Sequence, residues 1–269
     1  MAKSEVEEIY DRYAKEYSGN FAPMKFSTSR VAFKFADAIT WHFIAKHLPK
    51  KKSTHMLDAG GGGGWWSEKL LSLGYTNITL TDLSEKMLAQ ARKKLAKHGK
   101  MVRFIKSDIS DMKELEDNSF GFVFSQYDPV GYCMKPKQAV AELARVARKG
   151  AFISVMVDTK YRRVPEFIEA GQIGEAERLL KTGISDDYFH PQVNFTWESL
   201  SGCFTAAGLE VKEVIGAPVF MHQVNQKVLK KLLRKKGAWQ ELMKIELENC
   251  TDRSLVNFAG HLQIVGRKR

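Results

Sequence analysis

The 269-residue sequence holds only three cysteines, Cys133, Cys203 and Cys250, set far apart and with no Cys-x-x-Cys pair. That scarcity excludes a disulfide framework and a metal knuckle and leaves three reduced packing residues as the expectation. Long apolar runs are missing too: the longest are interrupted by Lys or Arg, well short of the roughly 20 residues of a spanning helix. Met1-Ala2-Lys3-Ser4-Glu5-Val6-Glu7-Glu8 has no apolar signal region and reads as the polar start of a helix, so no membrane and a cytoplasmic location are expected. Internal repeats and low-complexity tracts are absent. Acidic residues are in deficit, 31 Asp and Glu against 42 Lys and Arg, for a net charge of +11. A positive field of that size favours acidic partners, whether substrate, phosphate or nucleic acid, without choosing among them.

With 44% hydrophobic residues the chain can bury one sizeable core, which predicts one catalytic domain plus a cap. Short β-branched or apolar runs alternate with segments of helical period, the pattern of an α/β fold with a doubly wound, mostly parallel sheet. The expected strands are Thr54–Ala59, Ile78–Thr81, Val102–Ile105, Phe120–Ser125, Ala151–Val157, Leu209–Ile215 and His261–Gly266. Ser84 is placed to cap a helix carrying Met87, Leu88, Ala91 and Leu95, ended by Gly99. A stripe of Ala139, Val140, Leu143 and Val146 predicts a second helix, ended by Gly150, and Thr196 a third, stopping at Gly208. Three regions interrupt this alternation. Residues 1–50 read as an N-terminal helical lid, two helices around the loop Ser18–Ser27. The remaining domain, 51–269, carries insertions at about 158–195 and 217–259. Segments that leave a sheet at the carboxyl ends of its strands stand beside the ligand crevice, which makes the first two regions lids.

Met56-Leu57-Asp58-Ala59 is an apolar strand followed by five consecutive glycines, Gly60–Gly64, and then Trp65-Trp66-Ser67 opens a helix. Consecutive glycines fit a backbone that turns sharply and lets a ligand come very close, with Gly60, Gly62 and Gly64 the key positions. Asp82 closes the next strand 20 residues after Gly62, the spacing of a ribose-binding acid. A nicotinamide dinucleotide site shares the turn and the acid. Its third glycine or alanine, however, would fall on Trp65 or Ser67, which disfavours hydride chemistry.

The run Leu57-Asp58-Ala59-Gly60-Gly61-Gly62-Gly63-Gly64 resembles the nucleotide loop of class I S-adenosylmethionine-dependent methyltransferases. Thr81-Asp82-Leu83-Ser84-Glu85-Lys86-Met87-Leu88 resembles that family's second motif, and Ser107-Asp108-Ile109 its adenine-contact motif. Ser119–Ser125 is similar to its fourth strand and Glu142–Gly150 to the helix and turn before strand five, so the resemblance covers about residues 53–157. It implies a Rossmann-like seven-stranded sheet with an antiparallel last strand, helical cap insertions, and S-adenosylmethionine as cofactor. Residue by residue, it implies that the Gly60–Gly64 backbone passes under the methionine part and that Asp82 accepts from both ribose hydroxyls. Leu83 would pack on adenine, Asp108 would accept from the adenine amino group beside the Ile109 backbone, and Asp58 and the backbone near Gln126 would face the ammonium. Gly121 stands where the family usually has Asp, and Gly61 and Gly63 replace commoner Cys and Thr. Family members often fold an N-terminal helix over the cofactor, which makes Tyr17 and Arg30 lid contacts, Arg30 pairing with the cofactor's carboxylate.

Methyl transfer is an in-line displacement, so alignment and water exclusion matter more than a strong base, and the acceptor side leaves a weaker trace. The loop Gln126-Tyr127-Asp128-Pro129-Val130-Gly131-Tyr132 lies where an acceptor should sit. Tyr127, Asp128 and Tyr132 offer acceptor atoms or an aromatic wall for a cationic amine; equally, Asp128-Pro129 is an ordinary turn start. Nucleic-acid and protein amino-methylating enzymes carry Asn/Asp-Pro-Pro-Tyr/Phe at this strand's end. Here Gln126 takes its first position and Asp128-Pro129 comes two residues late. His190 in the insertion at about 158–195 is the candidate base, weighed against a plain hydrogen-bonding role; His222 has less reason to be near. Tyr10, Tyr13 and Tyr17 sit at helical spacing on one face with Val6 and Ile9, as packing would have it. In the segment Val224–Lys236, Val228, Leu229, Leu232 and Leu233 form one side and Lys227, Lys230, Lys231, Arg234 and Lys235 the other, an expected solvated helix or homodimer contact. No aromatic platform for nucleic acid is legible there. The expectation is methyl transfer to a small-molecule acceptor, the alternatives being an RNA or protein methyltransferase and a non-catalytic cofactor-binding module. No metal is expected.

Overall fold

A computed structural model describes residues 4–14, 30–186 and 190–269, the side chains of Tyr13 and Arg30 excepted. Helices α1 (Glu5–Tyr13) and α2 (Arg30–His47) precede the first strand. The chain then runs β1 (Met56–Ala59), α3 (Trp65–Ser72), β2 (Ile78–Asp82), α4 (Glu85–Leu95), β3 (Val102–Lys106), β4 (Phe120–Ser125), α5 (Pro129–Tyr132), α6 (Pro136–Val146) and β5 (Ala147–Asp158). The first insertion after β5 holds α7 (Lys160–Glu169), α8 (Ile173–Thr182) and the strands β6 (Ile184–Asp186) and β7 (Pro191–Val193). Next come α9 (Trp197–Ala206), β8 (Leu209–Gly216), α10 (Gln226–Leu232), α11 (Ala238–Asn249), α12 (Arg253–Val256) and β9 (His261–Lys268).

Seven strands form one sheet in the order β3-β2-β1-β4-β5-β9-β8, and only β9 runs antiparallel to its neighbours, as expected. The alternation of side chains along each strand divides the core in two. Leu57, Ala59, Val123, Ile153 and Val155 face one way, onto α6 and α9. Met56, Ile78, Leu80, Phe122 and Phe124 face the other, onto α2, α3 and α4. Two parallel neighbours of β1, β2 and β4, leave in opposite directions from it, so the order reverses at the end of β1, where α/β sheets bind ligands.

Local signals explain most element ends. Ser84 accepts a hydrogen bond from Met87 N and caps α4, while Thr196 and Ser199 form a reciprocal capping box at α9. Gly150 does not end a helix. α6 stops at Val146, Ala147 already pairs with Phe120, and Gly150 falls where the β4–β5 register shifts. The basic helix is shorter than the sequence pattern: Asn225 caps its start by accepting from Lys227 N and Val228 N, and it ends at Leu232. Leu229 is then buried against Val31, Phe35 and Met221, whereas Val228 is 51% exposed, on the opposite side from the sequence assignment. The hairpin β6–β7 in the first insertion has no counterpart among the strands expected from sequence. All three cysteines are free, Cys203 and Cys250 buried. Among the described residues no helix is long and apolar enough to cross a membrane.

Candidate active site

The glycine turn owes its shape to backbone that other residues avoid. Gly60, Gly62 and Gly64 all have positive φ, 69°, 51° and 80°, in the left-handed region where a Cβ is strained. A Cβ on Gly60 would lie 2.4 Å from Pro129 Cγ, so the turn packs directly on the loop after β4. Asp82 then staples the turn: Oδ2 accepts from Gly62 N at 2.8 Å and Oδ1 from Ser84 N at 2.9 Å. Burial pushes its carboxyl up to about 6, against the two amides, which pull it down, and Asp11, which raises it further. Asp58 is deeper, 1% exposed, and accepts from Ser67 Oγ at 2.6 Å; burial pushes its carboxyl up to about 7. Asp58 thus ties β1 to the first turn of α3.

Further along the same edge, Leu83 is half-buried behind Asp82 and Ile109 is buried. Asp108 accepts from Ser110 N and Ser110 Oγ, both at 2.8 Å. Gln126 donates through Nε2 to Ser154 O at 3.0 Å, which ties its side chain to β5. Tyr17 lies outside the described residues, as does the side chain of Arg30.

At the carboxyl end of β4 the chain takes two successive left-handed residues that are not glycine, Tyr127 (φ 63°) and Asp128 (φ 71°). Such strain persists only where surroundings enforce it, and it clusters at functional sites. Tyr127 donates a very short hydrogen bond from its hydroxyl to Asp37 Oδ1 on α2. Burial pushes the Asp37 carboxyl up to about 6, opposed by the Tyr127 hydroxyl and Lys69. The Tyr127 ring stands 5.8 Å from His261 and 6.3 Å from Phe33, so α2 walls one side of this loop. Asp128 caps α5 by accepting from Gly131 N at 2.9 Å, and its Oδ2 accepts from Gln192 Nε2 at 2.8 Å. The same Gln192 Nε2 donates to Asp158 Oδ2 at 2.9 Å. Burial works to raise the Asp158 carboxyl, but Arg162 at 3.3 Å, His261 at 3.2 Å and Arg163 together hold it below its ordinary value. Burial pushes both His261 and His222 down to about 4, leaving both imidazoles neutral near pH 7.

Three distant segments converge on this edge. Tyr10 of α1 meets Tyr132 edge-on at 6.0 Å, and Tyr132 meets His190 edge-on at 5.5 Å. α1 is held at its other side by Ser84 Oγ donating to Asp11 Oδ1 at 2.6 Å and by Lys106 bonded to Glu7 at 2.7 Å. The sequence-derived candidates Tyr127, Asp128 and His190 therefore fall along one edge with Tyr132. Asp11, Asp37, Asp158, Gln192 and His261 were missed. Asp37 sits 90 residues from Tyr127 and Asp11 73 from Ser84, and neither pairing has a local sequence signal. Among the described residues no cluster of side chains could hold a metal ion. The cations Lys227, Lys230, Lys231, Arg234, Lys235 and Lys236 are exposed on the outside of the insertion at about 217–259, and α10 packs against α2.

Residues 57–155 match the protein family described as a methyltransferase domain. No curated protein matches the chain by sequence. Among solved structures, a chain from the Haloferax volcanii complex of the Trm112 methyltransferase activator is similar with a TM-score of 0.64 and 17% identity, covering 97% of this chain and 96% of that one. Haemonchus contortus phosphoethanolamine N-methyltransferase 2, in complex with S-adenosyl-L-methionine, gives 0.63 and 17%, covering 99% of this chain and 60% of that one. The cyclase SpnF gives 0.63 and 16%, covering 99% and 97%. Likeness at these identities is likeness of fold, and one fold carries several chemistries.

Proposed function

We propose that the chain is an S-adenosylmethionine-dependent methyltransferase on the class I Rossmann-like fold, and that its methyl acceptor is a small molecule enclosed at the carboxyl end of β4. The cofactor supplies an electrophilic methyl group on a sulfonium centre. Residues on the nucleoside side fit it: the Gly60–Gly64 backbone leaves room that a Cβ would fill, and Asp82 keeps lone pairs for two ribose hydroxyls after serving Gly62 and Ser84. Leu83 and Ile109 offer apolar contact to adenine, Asp108 accepts from its amino group, and the backbone at Gln126 faces the methionine end. On the acceptor side Tyr127 and Asp128 orient the nucleophile, and His190 takes up a proton where the acceptor carries one. α1 and the first insertion exclude water.

The observation that carries the small-acceptor reading is the ring contact of Tyr10, Tyr132 and His190. It draws the N-terminal helix, the loop after β4 and the first insertion together over one edge, an enclosure suited to a metabolite and ill suited to a polymer. The test uses S-adenosylmethionine labelled in its methyl group, with a cell extract separated into small-molecule filtrate, RNA and protein. Label transferred to the filtrate alone supports the reading; label in RNA or protein alone overturns it. RNA is the alternative that one observation favours, the six exposed cations between Lys227 and Lys236, with no acidic residue between Glu213 and Glu241. Transfer to RNA would fall steeply with salt.

A further inference from the structure

The strand β7 turns a polar face toward the sheet. His190, Gln192 and Asn194 alternate along the chain, 6%, 0% and 4% exposed, so three polar side chains point inward where a covering strand ordinarily presents apolar ones. Each carries buried atoms that make no hydrogen bond: both ring nitrogens of His190, Oε1 of Gln192 and Oδ1 of Asn194. Buried polar atoms without partners are rare in folded proteins and costly, so a set of them on Gln192 and the two residues flanking β7 calls for a reason.

The chemistry of that face is fixed by its neighbours. Gln192 Nε2 lies 2.8 Å from Asp128 Oδ2 and 2.9 Å from Asp158 Oδ2, and only the amide NH2 can satisfy two carboxylates. The amide orientation is therefore determined, and the atom left over is a carbonyl oxygen, an acceptor. Asn194 repeats the pattern: Nδ2 donates to Ser185 Oγ at 2.8 Å and Gln192 O at 3.2 Å, leaving Oδ1 as an acceptor. Tyr132, stacked edge-on against His190, joins this face to the loop after β4.

We propose that β7 is the acceptor-recognition strand, and that Gln192 and His190 select an acceptor presenting hydrogen-bond donors, an amine or hydroxyl compound that is neutral or cationic, and not a carboxylate or phosphate. This inference rests on the small-acceptor reading above. It runs against the acidic partner that the net charge of +11 suggests, because the cations nearest this face, Arg162 and Arg163, pair with Asp158 and Glu166, whereas the carboxamide atoms of Gln192 and Asn194 left without partners are acceptors.

Two measurements test it. His190→Phe replaces an imidazole whose nitrogens are both unpartnered by a ring of similar shape. A residue kept polar for a ligand and not for the fold gives an unfolding temperature about 2–4 °C higher on this change. S-adenosylhomocysteine affinity stays within threefold (~), because the nucleoside contacts are untouched. In the second measurement, methyl-labelled product formed from the small-molecule filtrate is passed over anion- and cation-exchange resins, for wild type and for Gln192→Leu. Neutral or cationic product, falling about tenfold or more in Gln192→Leu, is the expected result. Anionic product, or a His190→Phe protein that unfolds at a lower temperature than wild type, overturns the proposal. Absence of label from the filtrate altogether, with S-adenosylhomocysteine still bound, instead overturns the reading beneath it.

Discussion

Gly60→Ala tests whether the cofactor turn and the acceptor loop form one rigid unit. Gly60 has φ 69°, and a Cβ there would meet Pro129 Cγ at 2.4 Å and Pro129 Cβ at 2.6 Å. A non-glycine residue in the left-handed region costs about 1–2 kcal/mol. Forcing a carbon against a proline ring adds about 1–3 kcal/mol more, since the ring has no rotamer to escape into. Gly74 provides the control: its φ is 85° and nothing lies within 4 Å of a Cβ there, so Gly74→Ala suffers the backbone cost alone. At about 2–4 °C per kcal/mol for a chain near this size, Gly60→Ala should lower the unfolding temperature by roughly 4–20 °C and Gly74→Ala by roughly 2–8 °C. Scanning calorimetry measures both, and titration with S-adenosylhomocysteine adds the functional arm. Gly74→Ala should bind normally and Gly60→Ala weakly. Equal unfolding temperatures and equal affinities for the two variants would refute the close contact between turn and loop.

Three further outcomes follow from the same geometry. Asp82 has its carboxyl raised to about 6 in the free protein, and in the proposed site ribose hydroxyls would donate to the ionised form; affinity for S-adenosylhomocysteine should therefore fall by up to about tenfold per pH unit below 6 and level off above 7. A titration series showing constant affinity from about pH 5 to about pH 8 would exclude that linkage. Tyr127→Phe removes the donor to Asp37, whose carboxyl is already raised to about 6, so the protein should lose about 1–3 kcal/mol. Because a raised carboxyl stabilises the fold at low pH and that contribution is lost as pH rises toward the folded value, the loss in denaturant melts should be larger at neutral pH than at pH about 4. Asp11→Ala breaks the bond from Ser84 Oγ, and amide exchange in α1 should accelerate while exchange in α4 is little changed; unaltered exchange in α1 would show that Asp11 does not hold that helix.

What could be read from sequence was local. Ser84 and Thr196 declared their caps, the five glycines declared a turn, and β4 matched its expected bounds because its apolar run, with Phe120 and Val123 in one core layer and Phe122 and Phe124 in the other, is that of a strand buried on both faces. Gly150 misled because a glycine with φ 80° serves a register shift in β5 as well as it serves a helix end. Val228 misled because the helix period was extended through a segment that holds only seven helical residues. The acceptor side was legible only in outline. Tyr127 and Asp128 stood out as polar residues at a strand end, but their left-handed backbone and the tie to Asp37 are products of tertiary packing. The polar face of β7 was hidden by the shortness of the strand, three residues, too few to set a period. His190 was singled out as a histidine, and its significance lies in Gln192 and Asn194 beside it.

The central claim is that the turn after β1 and the carboxylate closing β2 hold the nucleoside of S-adenosylmethionine. Titration calorimetry of S-adenosylhomocysteine into wild type and Asp82→Ala measures it directly. Loss of hydrogen bonds from two ribose hydroxyls to an ionised acceptor, at about 1.5–3 kcal/mol each, predicts saturable one-to-one binding by wild type and affinity lower by about two to four orders of magnitude in the variant. Equal heats and equal affinities in the two proteins, or no binding by wild type, would contradict it.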